Sequence, residues 1–473
     1  MRLSTSAHRI LLGAMLGSLT FASATTSAPA PAAAPRASRL VVLSTTDMKG
    51  KTSPCGCHIP KGGLSRQASF ADSVKAEYPA VLWVDSGGFF PEDDLHEDVA
   101  WFMMDALKLI GLDAVGIGDR DLRFGYARLR DHAKQDQLQL VSANLVLKKT
   151  QQPAFSPYVI KSIGNVNVGV FGLISDQANL GPARDTLAAQ DPTVTAKRMV
   201  AELKRKGVTV IVLLSQLGKV ETEDLVSTVE GMDVAITGRG VPLVQKGRLI
   251  GRTVTVYGGE QGQYMGRTIL SLDDDGHVKS SDHDMFMLNP EVGEKKEVAA
   301  LVQAFEDKFN EKLRKAEKEQ VVQRRSESAQ NNPDHYVGDA VCGRCHKQEV
   351  TQWQGTAHAH AWQTLVDKKK DATPDCIPCH VLGYEKTGGF VNATQTPKLV
   401  NVQCENCHGM GTSHDGMAME KPMAKVAETT CRGCHNETTS PEFDFGKFKQ
   451  YIDHTHNFAD LPPLKGGPMK STN

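Results

Sequence analysis

The sequence predicts two unlike domains in series: a layered α/β domain, then a mainly helical, loop-rich one. Three observations carry this. Short apolar runs alternate with amphipathic stretches over 39–288. A charged stretch, poor in glycine and proline, covers 289–332. Beyond it, over 333–461, long apolar runs vanish and eight of the ten cysteines fall between Cys342 and Cys434. A length of 473 residues suits more than one domain. Lys+Arg 54 against Asp+Glu 55 excludes a broadly nucleic-acid-binding chain, which carries a basic excess. At 40% hydrophobic and 23% charged residues the chain is globular, not disordered.

The first 24 residues read as a cleavable export signal. Arg2, His8 and Arg9 form a weakly basic start, Ile10 to Phe21 an apolar run, and Ala22-Ser23-Ala24 a small-residue cleavage site. An Ala/Pro-rich tether covers 25–38. No later stretch reaches the roughly 20 apolar residues of a membrane span. A periplasmic location without a transmembrane segment is therefore expected.

In the α/β region, Leu40 to Leu43, Ala80 to Val84, Val208 to Leu214 and Val234 to Ile236 are continuous apolar runs, the pattern of strands covered on both faces. Helical periodicity marks Leu64 to Glu77, Val99 to Ile110, Leu122 to Lys134, Thr193 to Lys206 and Glu221 to Val229. Gly251 to Leu272 reads as shorter strands with glycine turns. In the charged stretch, Val298, Leu301, Val302, Phe305, Phe309 and Leu313 recur at helical spacing, giving one apolar stripe. It is read as a helical linker over 289–332, with a helix packed on either neighbour as the alternative. The tail is 462–473.

The region 333–461 has too little aliphatic core for its size and needs something else to fold around. Cys342-Gly-Arg-Cys345-His346, Cys376-Ile-Pro-Cys379-His380, Cys404-Glu-Asn-Cys407-His408 and Cys431-Arg-Gly-Cys434-His435 supply it. In such a motif two thiols form thioethers to one haem and the adjacent histidine is the proximal iron ligand. Zinc also takes Cys-x-x-Cys pairs but does not require a histidine after each second cysteine. Four c-type haems are expected. Six further histidines, His335, His358, His360, His414, His454 and His456, are candidates for the sixth iron positions.

The run Trp353 to Leu365 with His358, then Asn401 to His414 around Cys404-Glu-Asn-Cys-His408, then Ile452-Asp-His454, resembles the tetrahaem cytochrome c family, whose best-known member accepts electrons in ammonia oxidation. The resemblance covers roughly Tyr336 to His456. It implies haems in close pairs, mostly with histidine on both axial sides, and His358, His414 and His454 as the leading distal ligands. His335, His360 and His456 are weaker candidates. Some members keep one five-coordinate haem. Redox partner proteins are the implied partners.

The front region also carries a resemblance, to the metallophosphatase domain of the 5′-nucleotidase family, over Arg39 to about Leu272. Thr46-Asp47-Met48-Lys49-Gly50 stands where that family has Asp-x-His-Gly, and Gly62-Gly63-Leu64-Ser65-Arg66 matches Gly-Gly-x-x-Arg. Asp85-Ser86-Gly87-Gly88 stands for Asp-x-Gly-Asp, Gly118-Asp119-Arg120-Asp121 for Gly-Asn-His-Glu, Leu214 to Gly218 for Ser-His-x-Gly, and Gly238-Arg239-Gly240 for Gly-His-x-His. The implied fold class is an α/β layered metallophosphatase-like domain, followed by a mainly α, loop-rich multihaem cytochrome c domain. The implied metal ligands are largely replaced: Lys49, Gln216 and Arg239 stand for histidines, Gly88 for the bridging aspartate, and Arg120 for the catalytic histidine. A two-metal hydrolase needs those ligands, so no hydrolysis and no catalytic residues are expected. Asp47 and Asp119 remain, and Lys49, Arg120 and Arg239 would bring positive charge suited to an anion. Cys55-Gly-Cys57-His58 lies outside the pattern, as a soft-metal site, a strained disulfide or an inert loop.

Overall fold

The computed structural model describes residues 37–55, 59–93, 96–328, 335–374, 376–414, 422–436, 439–440 and 442–454, the side chains of 316–328 excepted. The export signal, most of the tether, Cys57, His58, His456 and the tail lie outside these residues.

The front domain runs β1 (Arg39–Thr45), α1 (Leu64–Glu77), β2 (Val81–Asp85), α2 (Glu97–Ile110), β3 (Ala114–Gly116), α3 (Tyr126–Asp136), β4 (Leu140–Val141), β5 (Leu145–Leu147), β6 (Tyr158–Ile163), β7 (Val166–Ile174), β8 (Leu187–Ala189), α4 (Pro192–Arg205), β9 (Val210–Gln216), α5 (Lys219–Thr228), β10 (Val234–Thr237), β11 (Arg248–Ile250), β12 (Thr253–Tyr257), β13 (Tyr264–Leu272) and β14 (Val278–Met287). One six-stranded sheet has the order β14-β13-β1-β2-β3-β4, and the other β11-β12-β10-β9-β7-β6. Both are mixed: β1 runs parallel to β2 and antiparallel to β13, and β7 runs parallel to β9 and antiparallel to β6.

Continuous apolar strands are needed because both faces are covered. Along β1, Leu40 and Val42 enter the layer between the sheets, whereas Val41 and Leu43 face the helices. In β9, Val210, Val212 and Leu214 point between the sheets, and Ile211 and Leu213 pack under α4 and α5 with Met199, Leu203 and Leu225. The result is four layers, α/β/β/α. Helix ends follow local chemistry. The Asp191 side chain accepts from Val194 N at 2.8 Å with Pro192 in the first turn of α4, and α2 stops at Gly111, φ 90°.

Strand β7 escapes sequence reading because Gly169 and Gly172 interrupt its apolar run. Gly172 is required by contact: a Cβ there would lie 2.3 Å from Val141 O.

The expected linker is α6 (Lys296–Ser328), and its first half is a packed element. Val298 and Val302 are buried in the core beside α1 and α2, and Phe305 stacks on Phe102 with ring centres 4.0 Å apart. Further along, Asn310, only 5% exposed, joins the rear domain. Its Nδ2 donates to Lys369 O at 2.8 Å, and its Oδ1 accepts from Thr373 Oγ1 at 3.1 Å. Of the two readings, this part of the helix follows the packed one: apolar residues on one face and Asn310 on another give it two docking surfaces.

The rear domain is a series of short helices, α7 (Asp339–Cys342), α8 (Lys347–Gln354), α9 (Ala361–Asp367), α10 (Cys404–His408), α11 (Glu428–Arg432) and α12 (Phe445–Lys449), joined by loops. Its buried apolar cluster is Tyr336, Leu365, Ile377, Val381, Leu382, Phe390 and Leu399. Among the described residues no helix is long and apolar enough to cross a membrane.

Candidate functional site

The rear domain brings histidines from distant parts of the chain together in pairs. The rings of His346 and His414 have centres 6.3 Å apart, those of His358 and His435 6.1 Å, and those of His408 and His454 6.4 Å. Each pair joins a motif histidine to one outside the motifs. An imidazole nitrogen sits ~2.0 Å from a transition metal and its ring centre about 1.1 Å further, so two rings facing across one metal have centres ~6.2 Å apart. Each of the three spacings fits two imidazoles that would hold one metal ion between them.

Local structure holds the second member of each pair. His414 N bonds Gly411 O at 3.0 Å in a tight turn after α10. His358 O accepts from Val402 N, and Trp353 Nε1 donates to Val402 O at 2.8 Å, tying the His358 turn to the segment before α10. His454 Nδ1 lies 3.0 Å from Gln352 Oε1 on α8. Burial pushes the His358 ring down to about 4, with His435 and His380 adding to the effect. A neutral ring is the form that ligates a metal.

The motif histidines differ in their outer partners. His380 Nδ1 lies 2.6 Å from Ala361 O, His408 Nδ1 2.9 Å from Ala424 O, and His435 Nδ1 3.0 Å from Ser440 Oγ. Phe443 stacks on the His435 ring, centres 4.6 Å apart and planes 12° apart. No histidine ring faces His380 at a comparable spacing among the described residues. His360 Nε2 lies 3.0 Å from Gln354 O, and His335 is exposed beside Thr412.

None of the eight motif cysteines is in a disulfide, so each sulfur can form a thioether. Sulfurs of different motifs approach one another. Cys342 and Cys404 are in hydrogen-bonding reach, as are Cys379 and Cys434, so the first motif lies against the third and the second against the fourth. Together with the small apolar cluster, paired rings and free thiols fit macrocycles as the missing core.

In the front domain the residues around Asp47 bond to one another. The Asp47 Oδ2 accepts from Arg239 N at 2.8 Å and from Thr46 Oγ1 at 3.1 Å, while Gln216 Nε2 reaches Oδ1 at 3.5 Å. Burial raises its carboxyl above the ordinary range. A Cβ on Gly88 would lie 2.3 Å from Asp47 Oδ1, and one on Gly238 2.2 Å from Gln216 Nε2. Asp85 and Asp121 are fully buried, and burial pushes both up to about 7. Asp121 accepts from the backbone N–H groups of Gly88, Phe90 and Gly118, a structural task.

The cations expected to suit an anion are already paired. Lys49 Nζ lies 3.0 Å from Glu92 and 2.5 Å from Glu260, and Arg120 lies 3.4 Å from Glu92. Arg239 faces Asp119 and Glu221, each at 3.9 Å. Each of these cations thus has acidic partners within the domain. Sequence reading missed Glu92 and Glu260 because Glu260 is 211 residues from Lys49. Cys55 is disulfide-bonded, so its sulfur offers no thiolate to a soft metal. Cys57 and His58 lie outside the described residues.

Fold and site resemble a nucleotidase-like α/β domain joined to a cytochrome c-like domain. Residues 341–409 match the family "Cytochrome c554 and c-prime". Cytochrome c-554 of Nitrosomonas europaea is 31% identical over 134 residues, which is 21% of this chain and 57% of that protein. A snake venom 5′-nucleotidase of Gloydius brevicauda is 24% identical over 55% of this chain and 48% of its own length. The chain thus spans about half the length of these curated relatives. Among solved structures, a 5′-nucleotidase precursor from Thermus thermophilus aligns with TM-score 0.53 at 22% identity, over 57% of this chain and 59% of that one, a likeness of fold.

Proposed function

We propose that this protein is a periplasmic electron carrier holding four covalent c-type haems, exchanging electrons with redox partner proteins, with a front domain that does not hydrolyse phosphate esters. The observation that carries the reading is the set of three histidine pairs at 6.1–6.4 Å beside four Cys-x-x-Cys-His motifs. Haem supplies one-electron chemistry, with potential set by axial ligand, hydrogen bonding and burial. His346, His380, His408 and His435 are the proximal ligands, and His414, His454 and His358 face the first, third and fourth of these. The basic, apolar and small-residue pattern of 1–24 supports export, which gives access to covalent haem attachment.

The intact mass of the mature protein should exceed its polypeptide by four haem groups, and His414→Ala should turn one iron high-spin while the others keep their spectra. A lower count, or an unchanged spin state, overturns this reading. A second reading, an oxidoreductase acting on a small nitrogen or sulfur compound, is favoured by one observation: His380 has no facing histidine ring among the described residues. A high-spin signal in the unmodified protein that binds carbon monoxide when reduced would support it.

A further inference from the structure

Glu405 lies between the cysteines of the third motif and is 3% exposed. It accepts four backbone hydrogen bonds within 3.1 Å: from Val337 N to both oxygens, from Gly338 N, and from Gly411 N at 2.7 Å. Donors alone surround it, the partners that a carboxylate's acceptor oxygens take. No cation pairs with it among the described residues. Val337 and Gly338 lead directly into α7, which carries Cys342, and Cys342 Sγ donates to Gly338 O at 3.6 Å. A buried carboxylate thus sits in the wall shared by the first and third motifs.

The fourth motif has a different environment. The outer nitrogen of His435 meets the neutral Ser440 hydroxyl, whereas that of His408 meets the Ala424 carbonyl. A carbonyl or carboxylate draws the N–H proton more strongly and makes the ring a better donor to ferric iron, and a hydroxyl does so less. Phe443 covers the His435 ring. Arg432, between the motif cysteines, is paired with Glu428 at 2.9 Å and lies 5.0 Å over Phe443.

We propose that the fourth motif is the electron sink of the three histidine-paired positions, because Glu405 opposes reduction at the first and third motifs while Ser440 and Phe443 leave His435 a weaker, drier donor. This rests on the haem reading above. An added electron adds negative charge, so a buried anion beside the first and third positions disfavours it there. Were haems held at these positions, the chain's own residues would favour the added electron where His435 and His358 hold the group, a one-electron change with no bond made.

The test is a redox titration of the haem-loaded, full-length protein followed by spin resonance. Ser440→Asp should lower the highest low-spin midpoint about tenfold in its oxidised-to-reduced ratio, about 59 mV for one electron. The other midpoints should hold. His358→Ala should convert that same signal to high spin, which identifies it. Glu405→Gln should raise the two lowest midpoints. Glutamine would turn an amide donor onto those N–H groups and threatens folding, so Ser440→Asp stands as an independent arm. If it moves the lowest midpoint, or none, the proposal is overturned. If His358→Ala leaves every iron low-spin, the ligand reading itself fails and the sink assignment falls with it.

Discussion

Acidification should destabilise the front domain through one residue, His283 on β14. It is 4% exposed, its Nδ1 lies 2.9 Å from Thr268 Oγ1, and its Nε2 has no partner. A second ring proton would therefore be buried without an acceptor. Burial pushes its pKa down to about 4, against the opposing pull of Asp284 and Asp282. The unfolded ring takes its proton near 6.5 and the folded ring only near 4, so the stabilisation is intact above 6.5 and is lost as pH falls towards 4. At about 1.36 kcal/mol per pH unit the loss approaches about 3 kcal/mol. The assay compares wild type with His283→Gln by urea unfolding, followed by far-ultraviolet circular dichroism, at about pH 7, 5.5 and 4, a span that brackets the two titrations. The wild type should lose stability relative to the variant by that amount across the window. Asp85 and Asp121, raised to about 7, act in the opposite direction: their contribution is full below about 4 and is lost as pH rises through 7. Being present in both proteins, they cancel in the comparison. A difference independent of pH would show that His283 is not held neutral by burial.

Three further outcomes are expected. Asn310→Ala strips the Lys369 carbonyl and the Thr373 hydroxyl of a partner at a part-buried contact, costing about 0.5–1.5 kcal/mol per hydrogen bond, and should separate the thermal transitions of the two domains; a single unchanged transition would count against the bridge. Gly88→Ala should destabilise by more than about 1 kcal/mol, because φ is 76° and the new Cβ would meet Asp47, and calorimetry reads this as a lower Tm. Purified protein with added manganese or zinc should release no phosphate from AMP; turnover abolished by Asp47→Ala would refute the non-hydrolytic reading.

Much of the fold is legible because its elements obey simple periods. The apolar spacing of Leu64, Ala68, Ala71 and Val74 marks α1 at the range it occupies. Strands β3, β4 and β5 escape because two or three residues establish no period. In the rear domain the four Cys-x-x-Cys-His motifs are local and plain, whereas the outer partners of their histidines are not. Ser440 follows His435 by five residues, but Gln352 reaches His454 across 102. The filled front pocket is illegible for the same reason. Lost ligands can be read one by one, but the neutralisation of Lys49 by Glu260 depends on a chain reversal that no spacing announces.

Helix α6 fixes a phase as well as a distance. Phe305 is locked into the front core and Asn310 into the rear domain, and continuous helix joins the two anchors. Each residue of an α-helix advances about 100° and ~1.5 Å. Deleting or inserting one residue between them would swing Asn310 around the helix axis, away from Lys369 and Thr373, while Phe305 stayed on Phe102. Length changes at this joint are tolerable only near whole turns, so the two domains are keyed to one another like teeth on a common shaft.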